Sequence, residues 1–86
     1  MPKDAIPVLN AVINQDPSSK LAYRKLAEAH ISVDDLNEAA KAYEALFNID
    51  PRAHRIAINI SDVYLEAIEY GKAVRWADKA ISLNSD

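Results

Sequence analysis

The chain has 86 residues, half of them apolar, and its 13 acidic and 10 basic side chains leave a net charge of -3. This length allows one small domain. The absence of cysteine excludes disulfide bonds and thiolate metal sites. The acidic balance disfavours nucleic acid as a partner, because phosphate backbones carry the same sign of charge. No basic flank precedes an apolar run at the N-terminus, and no apolar stretch has the length of about 20 residues that a membrane span needs. We therefore expect a cytoplasmic protein that binds neither membrane nor nucleic acid.

Two helices are predicted at the start of the chain. Asp4 is the expected N-cap of the first helix, and Pro7 is expected in its first turn, where a missing N–H is tolerated. The apolar positions of this helix recur at helical spacing: Ala5, Ile6, Leu9, Val12 and Ile13. Ser18 or Ser19 caps the second helix, and the pair Asp34–Asp35 ends it. Its apolar positions are Tyr23, Leu26, Ala27 and His30.

Three more helices are predicted in the rest of the chain, and no strand pattern appears. Asp35 and Glu38 have the spacing of a capping box at the start of the third helix. Its apolar stripe consists of Leu36, Ala39, Ala40, Tyr43, Leu46 and Phe47. The stripe of the fourth helix, after Pro51, consists of Ala57, Ile60, Ser61, Tyr64, Leu65 and Ile68. Gly71 lies near the turn into the fifth helix, whose stripe consists of Ala73, Val74, Ala77, Ala80 and Ile81.

A fixed period of 34 residues organises these helices. The phrase Asn14-Gln15-Asp16-Pro17 returns as Asn48-Ile49-Asp50-Pro51, and one further period leads to Ser85, where the proline is lost. Such a period is typical of a repeat array, in which each helical hairpin buries its apolar face against its neighbours. Short connections between the helices make successive helices antiparallel.

Two stretches of the chain carry one pattern of large and small residues. In the first stretch the pattern consists of Tyr23, Leu26, Ala27, His30, Ala39, Tyr43, Leu46 and Pro51. In the second it consists of Ala57, Ile60, Ser61, Tyr64, Ala73, Ala77, Ala80 and Ser85. With these residues the sequence resembles the tetratricopeptide repeat family, whose unit is a pair of antiparallel helices. It departs from the family motif where His30 replaces tyrosine, Leu46 replaces alanine, and Ala57 and Ala77 replace aromatics.

The resemblance implies an all-α fold, a right-handed α-solenoid of antiparallel helix pairs with five helices and about two and a half repeats. The expected divisions of this single domain are a half repeat at 3–16, a repeat at 18–51 and an atypical repeat at 52–86. Helices cross closely only where one presents a small residue, so Ala27 and Ser61 are expected beneath the partner helix at Ala39 and Ala73. The first helix is expected to cover the second and third, and the fifth to keep an open flank.

A peptide-binding groove is predicted on the concave side, which the first helix of each pair is expected to line. Its residues are Leu21, Arg24, Glu28, Ile31, Arg55, Ile58, Asn59, Asp62 and Leu65. Mixed charge with apolar points suits an extended or helical peptide, although an ordinary exposed helix face carries similar solvated charges. One branch of the family grips a C-terminal carboxylate, and Arg24 and Asn59 resemble two of its grips. Glu28 would repel that carboxylate, so such a clamp is not expected.

An end face is predicted on the fifth helix, because no helix follows it in this sequence. Its contact residues are Val74, Trp76, Ile81 and Leu83. Trp76 either fills the neighbouring slot for an aromatic residue or lies on the open end as a contact surface. The end face supports an alternative function, a structural element that self-associates or stacks on further repeats. A third class, an RNA-binding helical repeat, is disfavoured by the 34-residue period and the acidic balance.

No pattern of catalytic or metal-ligating residues appears. His30 is expected to be a core histidine and His54 a surface residue near a helix start. A helix-capping turn accounts for Asp34 and Asp35, and one glycine cannot form a phosphate-binding loop. We therefore predict a protein without enzymatic activity or cofactor that binds another protein or peptide in its groove.

Overall fold

The computed structural model describes residues 2–84, and over that range it consists of five helices without a strand. These are α1 (Pro2–Gln15), α2 (Lys20–Ser32), α3 (Leu36–Ile49), α4 (His54–Glu66) and α5 (Tyr70–Asn84). Each helix packs beside the next one in the chain. The predicted all-α solenoid of five helices is confirmed. Ser85, the position of the lost proline, lies outside the described residues.

The turns that follow α2 and α4 form the same backbone hydrogen bonds, one period apart. The amide of Asp35 donates to the carbonyl of His30 at 2.8 Å after α2. The amide of Glu69 donates to the carbonyl of Tyr64 at 2.8 Å after α4. Because these bonds fix the direction in which the next helix leaves the turn, α2–α3 and α4–α5 form equivalent hairpins.

Small residues lie where the helices of each hairpin cross. Ala27 on α2 and Ala39 on α3 are both 0% exposed. At the second crossing the hydroxyl of Ser61 donates to the carbonyl of Ala73 at 2.8 Å, so this side chain both leaves room for α5 and bonds to it. The predicted crossing of α4 and α5 at these two residues is confirmed.

Larger side chains fill the space between the hairpins. Leu46 and Ile60 are the largest fully buried side chains of the described core. The ring of Trp76 on α5 meets that of Phe47 on α3 edge to face, with centroids 5.1 Å apart. This contact joins the two hairpins directly, because each of them contributes one ring.

α1 packs at the N-terminal end of the stack, beside α2. Its half-buried residues Ile6, Leu9 and Ile13 pack against the core. Within residues 2–84, however, the backbone of α1 closely approaches only α2, and no Cα pair between α1 and α3 lies within 8 Å. The expected cover of α2 by α1 is therefore confirmed, and the cover of α3 stays a prediction.

The start of α1 differs from the prediction. The helix begins at Pro2, so Asp4 lies in its first turn and is not the N-cap. Proline is favoured at the first helical position because the N–H that it lacks has no partner there. Pro7 consequently lies deeper inside the helix than the expected first turn.

One predicted cap is confirmed and one is wrong. The Ser19 hydroxyl caps α2 by accepting a hydrogen bond from the amide of Ala22. Asp35 is the N-cap residue of α3, but its side chain makes no capping bond. Its amide already donates to the His30 carbonyl of α2, so it is not available to donate to the Glu38 side chain as a capping box requires. Glu38 instead lies 3.2 Å from Lys41.

Ile68 does not belong to the apolar stripe of the fourth helix. α4 ends at Glu66, and Ile68 lies in the following turn with 70% of its surface exposed. Ile68 lies four residues after Tyr64 and so fits the helical spacing, but the helix ends two residues before it. Leu65 is also exposed, on the last turn of α4.

Candidate peptide-binding groove

The predicted groove residues lie on α2 and α4, the first helices of the two hairpins. Four apolar side chains on this surface are exposed to solvent: Leu21, Ile31, Ile58 and Leu65. The charged residues between them are exposed as well: Arg24, Glu28, Arg55 and Asp62. Asn59 is half-buried. The surface therefore presents both apolar and charged groups to solvent.

A hollow of about 140 Å³ lies between α2 and α4 at the middle of this surface. Ile31 of α2 lines it on one side, and Asn59 and Asp62 of α4 line it on the other. The remaining lining residues are Tyr43, Val63 and Glu66. Three of the predicted groove residues, contributed by two different helices, thus border one depression with Tyr43 of α3 in its lining.

Two further hollows extend the depression along α4. One of about 460 Å³ is lined by His54, Arg55, Ile58 and Asn59. Another of about 290 Å³ lies between α4 and α5, and Ile58 and Asp62 border it too. The structure does not bring Leu21, Arg24, Glu28 or Leu65 into any of these three hollows. The first three remain on the exposed surface of α2, and Leu65 remains on that of α4.

Charges on α2 act on the tyrosine that lines the central hollow. Burial raises the pKa of the Tyr43 hydroxyl, Glu28 raises it further by repulsion, and Arg24 opposes the rise. Both charged residues therefore act at the position of this hydroxyl. Glu28 also lies 3.9 Å from Lys25, an exposed pair that contributes little to stability.

Sequence patterns did not predict every residue of the candidate groove. Tyr43 fits the helix-packing stripe of α3, and nothing in the spacing indicates that it also lines the central hollow. Val63 and Glu66 lie one and four residues after Asp62, which itself belongs to the predicted stripe. The i, i+4 spacing of Asp62 and Glu66 is the one sequence signal that could have added Glu66 to the predicted groove residues.

Two solved structures match this architecture closely. The crystal structure of MamA protein superimposes with a TM-score of 0.87 at 27% sequence identity, over 95% of this chain and 45% of that one. The structure described as "YrrB: a TPR protein with an unusual peptide-binding site" superimposes with a TM-score of 0.82 at 25% identity, over 99% of this chain and 44% of that one. The chain is built of tetratricopeptide repeats. The predicted two and a half tetratricopeptide repeats are confirmed.

A curated relative matches over a smaller part of its length. The Protein O-mannosyl-transferase Tmtc3 of Drosophila melanogaster is 33% identical over 73 residues, which make up 84% of this chain and 8% of that protein. The chain thus spans a small part of Tmtc3 and less than half of the MamA and YrrB structures. No family model matches the sequence.

The predicted end-face residues of the last tetratricopeptide repeat fall into two groups. Val74 and Ile81 are 59% and 68% exposed. Trp76 and Leu83 are half-buried and pack against the core. Of the two positions considered for Trp76, the structure gives it the inward one, against Phe47.

The two histidines of the tetratricopeptide repeats lie in separate places. His30 is half-buried in the slot for tyrosine, and its buried Nδ1 has no hydrogen-bond partner and lies 3.7 Å from the Asp35 carboxylate. His54 is half-buried at the first position of α4. Among the described residues no group of three or more His, Cys, Asp or Glu side chains is arranged to hold a metal ion. No helix within 2–84 is both long and apolar enough to cross a membrane.

Proposed function

We propose that the chain binds a peptide segment of a partner protein along the surface formed by α2 and α4. The observation that carries this proposal is the hollow that Ile31 shares with Asn59 and Asp62. A depression shared by the first helices of successive repeats offers a ligand two walls. The neighbouring hollow at Arg55 and Ile58 lengthens the surface along α4.

The chemistry of the surface fits a short, amphipathic segment. Exposed apolar side chains such as Ile31 and Ile58 offer contacts to apolar residues of the ligand, because their burial on binding is favourable. Arg55 and Asp62 offer one positive and one negative partner, which fixes the direction in which the peptide lies. The similarity to YrrB, a TPR protein with a peptide-binding site, supports this class of ligand. The proposed role is recognition without catalysis or cofactor, and a cytoplasmic location stays a prediction.

Selection of a displayed random-peptide library on the wild-type chain tests the proposal. We expect selected peptides to lose affinity for the variant Arg55→Ala by about tenfold, since the variant removes a charge at the edge of the groove. Its stability is expected to change by less than about 0.5 kcal/mol, because the side chain is exposed.

Arg52→Ala is the matched control for this experiment. Arg52 is an exposed arginine in the turn before α4 and lines none of the groove hollows. Equal loss of affinity in both variants would show that the peptides respond to overall charge and would contradict binding in the groove. The same conclusion would follow if Asp62→Ala left every selected peptide bound as tightly as before.

A second candidate function, self-association through the end of the stack, is favoured by one comparison between the repeats. Phe47 on α3 is 6% exposed, whereas Ile81, one period later on α5, is 68% exposed. Ala40 and Val74 show the same contrast, at 0% and 59%. The positions that neighbouring helices cover in the first repeat thus carry exposed apolar side chains in the second.

Light scattering over a concentration series separates the two candidates. If α5 mediates self-association, the apparent mass should rise with concentration in the wild type and stay at the monomer value in Val74→Lys, because Val74 is exposed and lines none of the groove hollows. Leu21→Lys is the control, because Leu21 is similarly exposed but lies on the groove side. A wild type that stays monomeric at every concentration would rule out this second candidate and leave the groove proposal intact.

A further inference from the structure

A second cleft lies where α3, α4 and α5 meet, away from the groove. It has a volume of about 600 Å³, in the range of ligand sites. Its lining residues are Glu44, Tyr64, Lys72, Arg75, Trp76 and Lys79. It shares no lining residue with the three hollows along α2 and α4. A ligand in this cleft would therefore not compete with a groove ligand for the same side chains.

Three cations line the cleft from one face of α5. Lys72, Arg75 and Lys79 stand at i, i+3 and i+7, a spacing that brings side chains to the same side of a helix. The carboxylate of Glu44, also in the lining, accepts a hydrogen bond from the hydroxyl of Tyr64. Glu69 lies 3.3 Å from Lys72. Since two carboxylates accompany three cations, the cleft keeps an excess of positive charge in a chain whose net charge is -3.

Aromatic rings hold two of these cations at the cleft. The Nζ atom of Lys72 lies 5.3 Å from the centroid of the Tyr64 ring. The Nζ atom of Lys79 lies 5.5 Å and 5.6 Å from the ring centroids of Phe47 and Trp76. These distances are within the range of cation–π attraction. The ammonium groups are therefore placed near the cleft before a ligand arrives, which lowers the entropy that binding would otherwise cost.

The repeat architecture does not require these cations. One period earlier, the positions of Lys72 and Lys79 are occupied by Glu38 and Ala45. Only Arg75 has a basic counterpart, Lys41, which pairs with Glu38 at 3.2 Å. The first repeat folds into an equivalent hairpin without a basic cluster, so the cluster in the second repeat is a separate feature of α5.

We propose that this cleft binds an acidic segment of a polypeptide. With a rise of 1.5 Å per residue, positions 72 and 79 are separated by about 10 Å along the helix axis. Carboxylates on alternate residues of an extended chain are about 7 Å apart, so two or three of them span the three cations. One compact anion such as phosphate spans less of this length and is a competing ligand in the test. The half-buried Trp76 between them offers a surface for the apolar part of the segment.

The charge of the whole chain favours an acidic peptide over RNA. A long phosphate backbone extends beyond the cleft and meets the field of a chain with net charge -3, which repels it. A short acidic peptide carries its charge near the three cations and extends little beyond the cleft. An oligoribonucleotide is therefore a competing ligand in the test, and we expect it to bind more weakly than the acidic peptide.

Titration of the wild-type chain with a hexaglutamate peptide tests this proposal. The chain has one tryptophan, Trp76, so its fluorescence reports directly on the cleft. We expect saturable binding that weakens as salt is added, and no binding of hexaglutamine. Arg75→Glu, and the milder Arg75→Gln if the first variant unfolds, should weaken binding by about tenfold. Lys41→Glu, the equivalent position of the first repeat, should leave it unchanged.

Other outcomes would overturn the proposal. Equal binding of hexaglutamine would show that the peptide's charge does not contribute to binding. Tighter binding of inorganic phosphate would indicate a site for a compact anion, and tighter binding of a uridine oligoribonucleotide would indicate a nucleic-acid site. Equal weakening by Lys41→Glu would show a response to net charge alone. Arg55→Ala separates this cleft from the groove, because it should leave hexaglutamate binding unchanged.

Discussion

Asp34 and Ile68 lie one period apart and share a left-handed backbone conformation, with φ angles of 62° and 63°. Each stands in the turn that connects the two helices of its hairpin. Aspartate tolerates this conformation, whereas a β-branched residue with positive φ is strained. The turn of the repeat therefore imposes the left-handed conformation at Ile68, although isoleucine disfavours that conformation.

Replacement of Ile68 by asparagine should stabilise the chain by about 1 kcal/mol, because asparagine adopts the left-handed conformation at lower cost. Little burial is lost, since Ile68 is 70% exposed. Urea unfolding followed by circular dichroism measures the change. The reverse substitution one period earlier, Asp34→Ile, should destabilise by a similar amount. A lower stability of Ile68→Asn would show that the turn is not strained.

Gly71→Ala should also stabilise the chain, by about 0.4–1 kcal/mol, because alanine restricts the unfolded chain more than glycine does. Gly71 lies in the first turn of α5 and does not have a positive φ. An added Cβ would meet no atom within 4 Å. The midpoint of thermal unfolding should therefore rise, and a fall would mean that the start of α5 needs the freedom of glycine.

Ala39→Trp should destabilise the fold by about 1–3 kcal/mol or more, because the indole has no space at the crossing of α2 and α3. Ala39 is 0% exposed. The control Asn37→Trp places the same side chain at an exposed position of α3 and should change stability by less than about 0.5 kcal/mol. If both variants unfold at the same urea concentration, this crossing is not tightly packed.

Alkaline pH should weaken the fold through Tyr64. Burial, the hydrogen bond to Glu44 and the charges of Glu44 and Glu69 together raise the pKa of its hydroxyl from 10.0 to about 12, against the opposing effect of Arg75. Above pH 10 the unfolded chain loses this proton and the folded chain keeps it. The stability that the raised pKa contributes is thus complete below pH 10 and is lost as the pH rises to 12.

Tyrosinate absorbance, taken as the difference between the wild type and Tyr64→Phe, follows this titration. In a Glu44→Gln background the same difference should titrate at lower pH, because the neighbouring negative charge is gone. Glu38→Gln, a carboxylate on the same helix and outside the cleft, is the control. An unchanged titration in Glu44→Gln would contradict the assigned hydrogen bond.

The sequence predicted the fold because its period is carried by many independent residues. Asp16 and Pro17 recur as Asp50 and Pro51, and Ala5 recurs as Ala39 and Ala73, so five helices and their antiparallel order could be predicted from the sequence alone. The errors occurred where one residue type permits two structures. Ile68 continues the spacing of α4 but follows the turn that ends it, and Asp35 stands at an N-cap while its amide is already bonded to the preceding turn.

The sites were less predictable than the fold, because they are assembled from different helices. Helical spacing predicted which faces of α2 and α4 are exposed. It did not indicate that Tyr43 of α3 lines the central hollow of the proposed groove. The basic cleft depends on Glu44 of α3 and Tyr64 of α4 lying beside the cations of α5, a proximity that exists only after the hairpins stack.

Chemical-shift mapping of a library-selected peptide on the isotope-labelled chain tests the central claim most directly. The claim is that the stacked repeats hold a peptide on the surface formed by α2 and α4. We predict that the largest backbone amide shifts occur at Ile31, Asn59 and Asp62, which line one hollow. Shifts confined to α1 and α5, with those three amides unmoved, would contradict it.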